Sequence, residues 1–327
     1  MTHLLVLVET DQGVIQPATF EALTFARPIA ETAGVELHAL VCGEIADHGA
    51  LAEHGVAHVH LAQHEMLHDF GPETWGHTLA ELIEIIEPSL VLASGTSKGN
   101  EVLATAAARL GVAFVANCLK ISDNFLDEAA PDLVRVQWGG SLLEEAKLDA
   151  PVKIISVAHH SLDAAPAHSS STPDVKPFRP TLDERLARTI VVQREIAEAG
   201  VTLATAPVVV GGGRAMGSAE AFAPLEELAS LLGGRVGCSR AVTNNGWRPH
   251  SDQVGQTGTR IAPDLYIASG ISGAIQHWVG AMASKNILAV NTDPEANMVL
   301  KADYAVIGDL HEVIPAVIDE IKRRRAQ

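Results

Sequence analysis

A chain of 327 residues, 47% of them apolar, has room for two domains with substantial cores. Its 23 Lys and Arg against 40 Asp and Glu leave a formal charge of −17, which argues against nucleic acid, whose binding rests on neutralising phosphates with basic groups. Cys42, Cys118 and Cys238 are odd in number and widely spaced, which excludes a disulfide framework and gives no support to zinc or iron–sulfur ligation. A reducing compartment is the simplest reading, and with no secretory pattern, transit peptide or membrane-length apolar run the expected location is cytoplasmic, with a mitochondrial matrix left open.

Residues 3–8 read as a buried first strand. Residues 19–33 read as a helix that Pro28 should kink or split. Strands are expected at 35–42, 57–61, 90–93 and 112–115, with helices at 73–86 and 100–110 between them. Alternation of this kind predicts a mostly parallel sheet covered on both faces. From 163 to 183 the pattern collapses into small and polar residues, which read as a loop or linker. Residues 189–193 look like a last strand of a first domain spanning 1–195.

A second alternation starts near Ala206 and defines a domain over 205–327. Strands are expected at 208–210, 235–237, 265–268, 287–290 and 304–307. Helices are expected at 223–232, 273–283 and 310–324, the last with Asp309 as its N-cap. The fold class is α/β, with two doubly wound, mostly parallel sheets. The basic run Lys322-Arg323-Arg324-Arg325 reads as cations at a helix C-terminus. The 15 histidines show no HExxH or comparable spacing, so no metal site is expected, and His159 and His160 read as surface groups.

Two segments stand out: Gln253-Val254-Gly255-Gln256-Thr257-Gly258, and Gly270-Ile271-Ser272-Gly273-Ala274-Ile275-Gln276-His277. Glycines allow close backbone approach to a ligand, and exposed N–H groups at a helix start bind phosphate. With Gly211-Gly212-Gly213-Arg214, Ser239-Arg240 and Asn291-Thr292-Asp293-Pro294, they describe a site for a large anionic dinucleotide. Each segment follows an expected strand, where doubly wound sheets bind ligands. On spacing alone, Arg214 could equally be a surface cation, an Arg placed like Arg240 is more often a surface ion pair, and Asp309 could be only a cap.

The order of these motifs, with Gly246-Trp247, Ala262-Pro263-Asp264-Leu265-Tyr266, Asp293-Pro294-Glu295-Ala296 and Gly308-Asp309-Leu310, resembles the α subunit of electron-transfer flavoproteins. The resemblance is dense from about 208 to 317 and weaker earlier, at Gly95-Thr96-Ser97-Lys98-Gly99. It implies FAD held mainly by the second domain. Arg214 would neutralise phosphate or touch the flavin, Ser239 would lie near the phosphates, and Arg240 beside the isoalloxazine. A guanidinium cannot deprotonate and stabilises negative charge on a reduced ring. Val254, Gly255, Gln256 and Thr257 would meet the ring's central edge. Ser272, Gly273, Ala274, Ile275 and Gln276 would open a helix under the pyrophosphate, and His277 would approach the pyrimidine carbonyl with a charge that can change near neutral pH. Asn291, Asp309 and Leu310 match positions near the adenosine.

The resemblance also implies a heterodimer with a β subunit, which commonly carries AMP. Electrons would come from acyl-CoA or related dehydrogenases and leave to a quinone oxidoreductase or another carrier. No stand-alone catalysis is expected, since no nucleophile with a matching base or paired carboxylates stand out. Some motifs depart from the family pattern. Asn244-Asn245-Gly246-Trp247 lacks the usual carboxylate, Ala215 replaces a glycine, Trp138-Gly139-Gly140-Ser141 replaces a Tyr-Ala-Gly-Asn motif, and Thr259 replaces a lysine. An NAD-dependent enzyme is the alternative, although no GxGxxG follows the first strand of either domain. A nucleotide module confined to the first domain is a third reading, and Thr96-Ser97-Lys98-Gly99 is only a fragment of a phosphate loop.

Overall fold

The structure is a computed structural model that describes residues 3–140, 142–168, 172–193 and 201–326. It divides into two units, Met1–Glu195 and Ile196–Gln327.

The first unit runs β1 (Leu4–Val8), a hairpin of β2 (Thr10–Asp11) and β3 (Val14–Ile15), α1 (Pro17–Ala33), β4 (Leu37–Cys42), α2 (Gly49–Glu53), β5 (His58–Ala62), α3 (Pro72–Ile86), β6 (Leu90–Ser94), α4 (Ser97–Leu110), β7 (Phe114–Ile121), β8 (Asp132–Gln137), β9 (Leu142–Lys147), β10 (Lys153–Val157) and β11 (Asp174–Phe178). Its sheet has nine strands in the order β11-β5-β4-β1-β6-β10-β7-β8-β9. The β7–β8 and β8–β9 pairings are antiparallel, so β8 alone runs against the other strands. The central strands β1, β4, β6 and β10 are buried along their whole length, as a sheet covered on both faces requires.

Two sequence expectations fail here. Residues 163–183 are not all linker, because β11 lies within them and pairs in register with β5. Its Asp-Val-Lys-Pro-Phe sequence carries no hydrophobic pattern, and an edge strand needs none; Pro177 is tolerated there because one side of an edge strand donates to nothing. Part of that stretch, 169–171, lies outside the described residues. Residues 189–193 form no strand, and Ile190 and Val192 are 64% and 89% exposed. Their β-branched side chains find no pleated surface to pack against. Pro28 does not split the first helix, which continues to Ala33. Ala22, Ala26 and Ala30 hold that helix against the sheet.

The second unit runs β12 (Val208–Gly212), α5 (Ala223–Leu231), β13 (Arg235–Cys238), α6 (Arg240–Asn244), β14 (Leu265–Ser269), α7 (Ile275–Ala281), β15 (Ile287–Asn291), α8 (Asn297–Lys301), β16 (Tyr304–Ile307) and α9 (Leu310–Arg325). Its five strands are parallel, in the order β13-β12-β14-β15-β16. The order reverses between β12 and β14, the topological switch point. One core packs α5 and α9 on one face through Phe222, Leu225, Leu228, Ile314 and Ile318. The other face buries Tyr266, Ile261, Ala281 and Met298. Lys322, Arg323, Arg324 and Arg325 do occupy the last turn of α9; Lys322 pairs with Glu227, Arg323 and Arg324 pair with Glu320, and Arg325 donates to the Leu231 carbonyl. No helix among the described residues is long and apolar enough to cross a membrane.

Candidate functional site

Since the five strands of the second sheet are parallel, their C-terminal ends, Gly212, Cys238, Ser269, Asn291 and Ile307, share one edge. Arg214 starts the turn after β12. Ser239 and Arg240 start α6 after β13. Residues 272–277 follow β14, Asn291 ends β15, and Asp309 and Leu310 start α9 after β16. The loop from Gln253 joins the same edge: its Val254 N–H donates to the Cys238 carbonyl at 2.9 Å. The fold thus brings all the expected residues to one edge.

Glycines let these loops interlock. The Gly213 N–H donates to the Ser269 carbonyl at 2.8 Å, and a Cβ on Gly213 would lie 2.0 Å from the Gly270 carbonyl oxygen. Gly273 has φ +76, and a Cβ there would lie 2.3 Å from the Met298 nitrogen. Leu310, 5% exposed, packs where a Cβ on Gly270 would stand and belongs to the core. Asn291 is occupied at both ends of its amide. Its Nδ2 donates to the Ile271 carbonyl at 3.1 Å, and its Oδ1 accepts from the Asp293 N–H at 3.1 Å. Asp309 caps α9, accepting from the His311 N–H at 2.9 Å. These residues shape the edge.

The 253–258 loop is clamped onto α7. The Gln256 N–H donates to the Gln276 carbonyl at 2.7 Å, and a Cβ on Gly280 would lie 2.3 Å from the Gly255 Cα. Val254 is buried, while the Gln256 and Thr257 side chains are exposed at the tip. Gln253, 2% exposed, sits 2.9 Å from the Thr243 hydroxyl on α6 and donates through Nε2 to the Thr257 hydroxyl oxygen at 3.1 Å. A hydroxyl that accepts this bond keeps its own proton for a ligand. Ser272, Ala274, Ile275 and Gln276 are exposed as well.

His277 behaves differently from the expectation of a titrating group. It is 6% exposed, and its Nε2 lies 2.8 Å from the Tyr266 hydroxyl. Burial lowers its pKa to about 4, with the Val254 backbone acting in the opposite direction. Burial also raises Tyr266, which stays protonated and can donate to Nε2. The imidazole is therefore neutral at neutral pH. Its charge does not change near neutrality in this state.

Sequence reasoning passed over Tyr266 and Ser269 as site-building residues, and it singled out the segment that Gln253 begins without giving Gln253 a role of its own. Ser269 ends β14 at the switch point, and its buried hydroxyl has no hydrogen-bond partner among the described residues. Tyr266 fills the space that a side chain at Gly211 would take. Gly280, a glycine inside a helix, was the visible signal for a close backbone approach.

The corresponding edge of the first sheet is filled by the chain itself. Glu9, just after β1 and 4% exposed, accepts from the Thr96 hydroxyl at 2.6 Å, and Thr96 caps α4 by accepting from the Gly99 N–H at 2.9 Å. Burial raises the Glu9 pKa to about 6, the Thr96 bond opposing it. His159 and His160 are half-buried partners of Glu21 and not free surface groups.

Comparison with known proteins agrees with this geometry. Residues 202–282 match the family model described as the electron transfer flavoprotein FAD-binding domain, and residues 4–183 match the electron transfer flavoprotein domain. An electron transfer flavoprotein subunit alpha of Mycobacterium tuberculosis is 36% identical over 99% of this chain and 100% of its own length. The chain belongs to the electron transfer flavoprotein α-subunit family. Another family member, from Bacillus subtilis, is 32% identical over 98% of this chain and 97% of its own, and Protein FixB of Azotobacter vinelandii is 31% identical over 99% and 92%. Membership makes FAD the cofactor and electron transfer the general function. The second unit fits such a ligand. Arg214 and Arg240 are exposed and have no ion-pair partner among the described residues, the Ser239 hydroxyl makes no capping bond, and the Ser269 hydroxyl is unpartnered.

Proposed function

We propose that this chain holds FAD along the C-terminal edge of its second sheet and works as one half of a heterodimeric electron carrier. Electrons would arrive from acyl-CoA or related dehydrogenases and leave to a quinone oxidoreductase or another carrier. The observation that carries the reading is the pair of exposed guanidiniums, Arg214 and Arg240, with no ion-pair partner among the described residues, on one glycine-lined edge of a chain with net charge −17. Bound FAD supplies reversible redox chemistry; the chain's residues bind and tune it. Arg214 neutralises phosphate, Arg240 favours negative charge on the ring, Thr257 donates from the loop tip, and Ser272 to Gln276 offer backbone N–H groups and small polar side chains. His277, neutral and anchored by Tyr266, positions the loop it packs under.

The partner would be a β subunit that itself carries AMP. Support comes from β16, an edge strand whose Tyr304, Val306 and Ile307 are 64%, 38% and 52% exposed. Apolar side chains on an open edge suit another chain. We also infer that the first unit holds no nucleotide at its own strand ends, because the Glu9 carboxylate already occupies the α4 N-terminus.

The test is co-purification with the β subunit, followed by denaturation and identification of the released cofactor. One FAD whose retention falls in Arg214→Ala supports the reading. Release of a nicotinamide nucleotide in its place would identify the alternative, an NAD-dependent enzyme, and defeat it.

A further inference from the structure

At the edge of the first sheet opposite the strand ends, four histidines converge from three parallel strands. The pairing sets His38 on β4 beside His58 on β5, with His58 beside Asp174 on β11 and Leu5 of β1 beside His38. His3 precedes Leu5 by two residues, so strand periodicity gives both the same face. The rings of His3 and His38 stack at 4.3 Å between centroids, and those of His38 and His58 meet edge-on at 4.6 Å. Glu36, exposed at the start of this edge, places Oε2 3.2 Å from His58 Nε2 and 3.9 Å from His38 Nε2.

We propose that His3, Glu36, His38 and His58 form a binding site for one divalent transition-metal ion, with zinc the best match. One ligand atom from each of His3, Glu36 and His38 lies within 4.8 Å of the others. His58 Nε2, 3.2 Å from the same Glu36 oxygen, lies outside that group and would swing toward it to give a fourth ligand, a third imidazole beside the carboxylate. A tetrahedral zinc site with bonds of about 2.0–2.1 Å separates its ligand atoms by roughly 3.3 Å, so side-chain adjustments suffice.

An independent observation points to a ligand. His38 is 3% exposed, yet its Nε2 has no hydrogen-bond partner among the described residues, and neither has His3 Nδ1. Each buried lone pair or proton left so is costly unless something binds there. The surroundings orient the rings as metal-binding histidines require. His38 Nδ1 lies 3.0 Å from His60 Nε2, which leaves Nε2 facing the cluster. His58 Nδ1 lies 3.3 Å from Asp174 Oδ2, an ion-pair distance without hydrogen-bond geometry, which sets a carboxylate on the side of the ring away from Glu36. Glu36 and Asp174 bring two negative charges against the one of Lys176, which lies 3.7 Å from Asp174. A pocket lined by these residues together with Leu82, Ile85 and Phe178 opens the cluster to solvent.

Glu21 with His159 and His160 is the other candidate group among the described residues. Its carboxylate is already committed, accepting from the His160 N–H at 2.7 Å and contacting both rings, which makes it a control.

The experiment uses the full chain purified with its partner subunit and stripped with a chelator. Zinc is titrated in competition with a chromophoric chelator, and cobalt is added to a second sample to record tetrahedral visible absorption. One equivalent should bind. Glu36→Gln, at an exposed side chain that leaves the core intact, should weaken binding more than tenfold. Asp174→Asn, behind His58, should weaken it by about tenfold, and His160→Ala should leave it unchanged. Zinc should raise the unfolding temperature of the wild type but not of Glu36→Gln. Failure of the wild type to compete for zinc, or equal affinity in Glu36→Gln, overturns the site. Either result leaves the flavin reading untouched, since FAD retention is read separately.

Discussion

Replacing His277 tests the account of the second unit's buried hydrogen bond. The imidazole is 6% exposed, and burial lowers its pKa from 6.5 to about 4. The unfolded chain takes up a proton first, so stability is full above about pH 6.5 and falls as pH drops through the window to 4. The difference corresponds to about 3 kcal/mol across that window. His277→Leu removes the titration but strands the Tyr266 hydroxyl, now 2.8 Å from Nε2, at a cost of about 1–3 kcal/mol that does not depend on pH. His277→Gln keeps an acceptor for that hydroxyl and should cost less. Urea unfolding of wild type and both variants, from pH 7 to pH 4, reads the result. Both variants should be less stable than wild type at pH 7, with the gap closing by about 3 kcal/mol at pH 4. Every other titrating group is common to the three proteins and cancels in the difference. A gap that stays constant between pH 7 and 4 would refute the buried neutral imidazole.

Arg240→Ala should lower the one-electron reduction potential of bound FAD by roughly 40–170 mV, since a charge a few ångströms from a partly screened ring is worth about 1–4 kcal/mol; Arg240→Lys should recover part of it, and an unchanged potential in a spectroelectrochemical titration would make the arginine structural. Gly213→Ala should destabilise the second unit by about 1–3 kcal/mol and reduce FAD retention, because the new methyl meets the Gly270 carbonyl; thermal unfolding checks it. Glu9→Gln should stabilise the first unit by about 2 kcal/mol above pH 6 and by nothing below pH 4.5. The folded carboxyl is raised to about 6, so its contribution declines as pH rises through that window. A variant that is equally stable relative to wild type at both pH values would contradict this.

The sequence by itself determined the strand-and-helix alternation, the two sheets and the position of the Gly-rich segments at strand ends. Those signals are local: β14 and β15 are short buried apolar runs, α9 has its cap and apolar stripe in one segment, and Gly255 and Gly273 punctuate loops. A parallel sheet then carries every strand end to one edge, so Arg214, Arg240, Thr257 and Ser272 could be grouped without coordinates. Tertiary structure decided what depended on neighbours from elsewhere in the chain. Residues 174–178 are a strand only because β5 offers an edge, whereas 189–193, with better strand formers, have none. His277 is neutral because Tyr266 and the 253–258 loop bury it, although its sequence position suggested a titrating group. The histidine cluster shows the same limit most sharply. His3, Glu36, His38 and His58 have no motif spacing, and only the lateral register of β1, β4 and β5 places them together. Residues along one strand are related by the two-residue period that a sequence displays, while residues across strands are related by pairing that it does not.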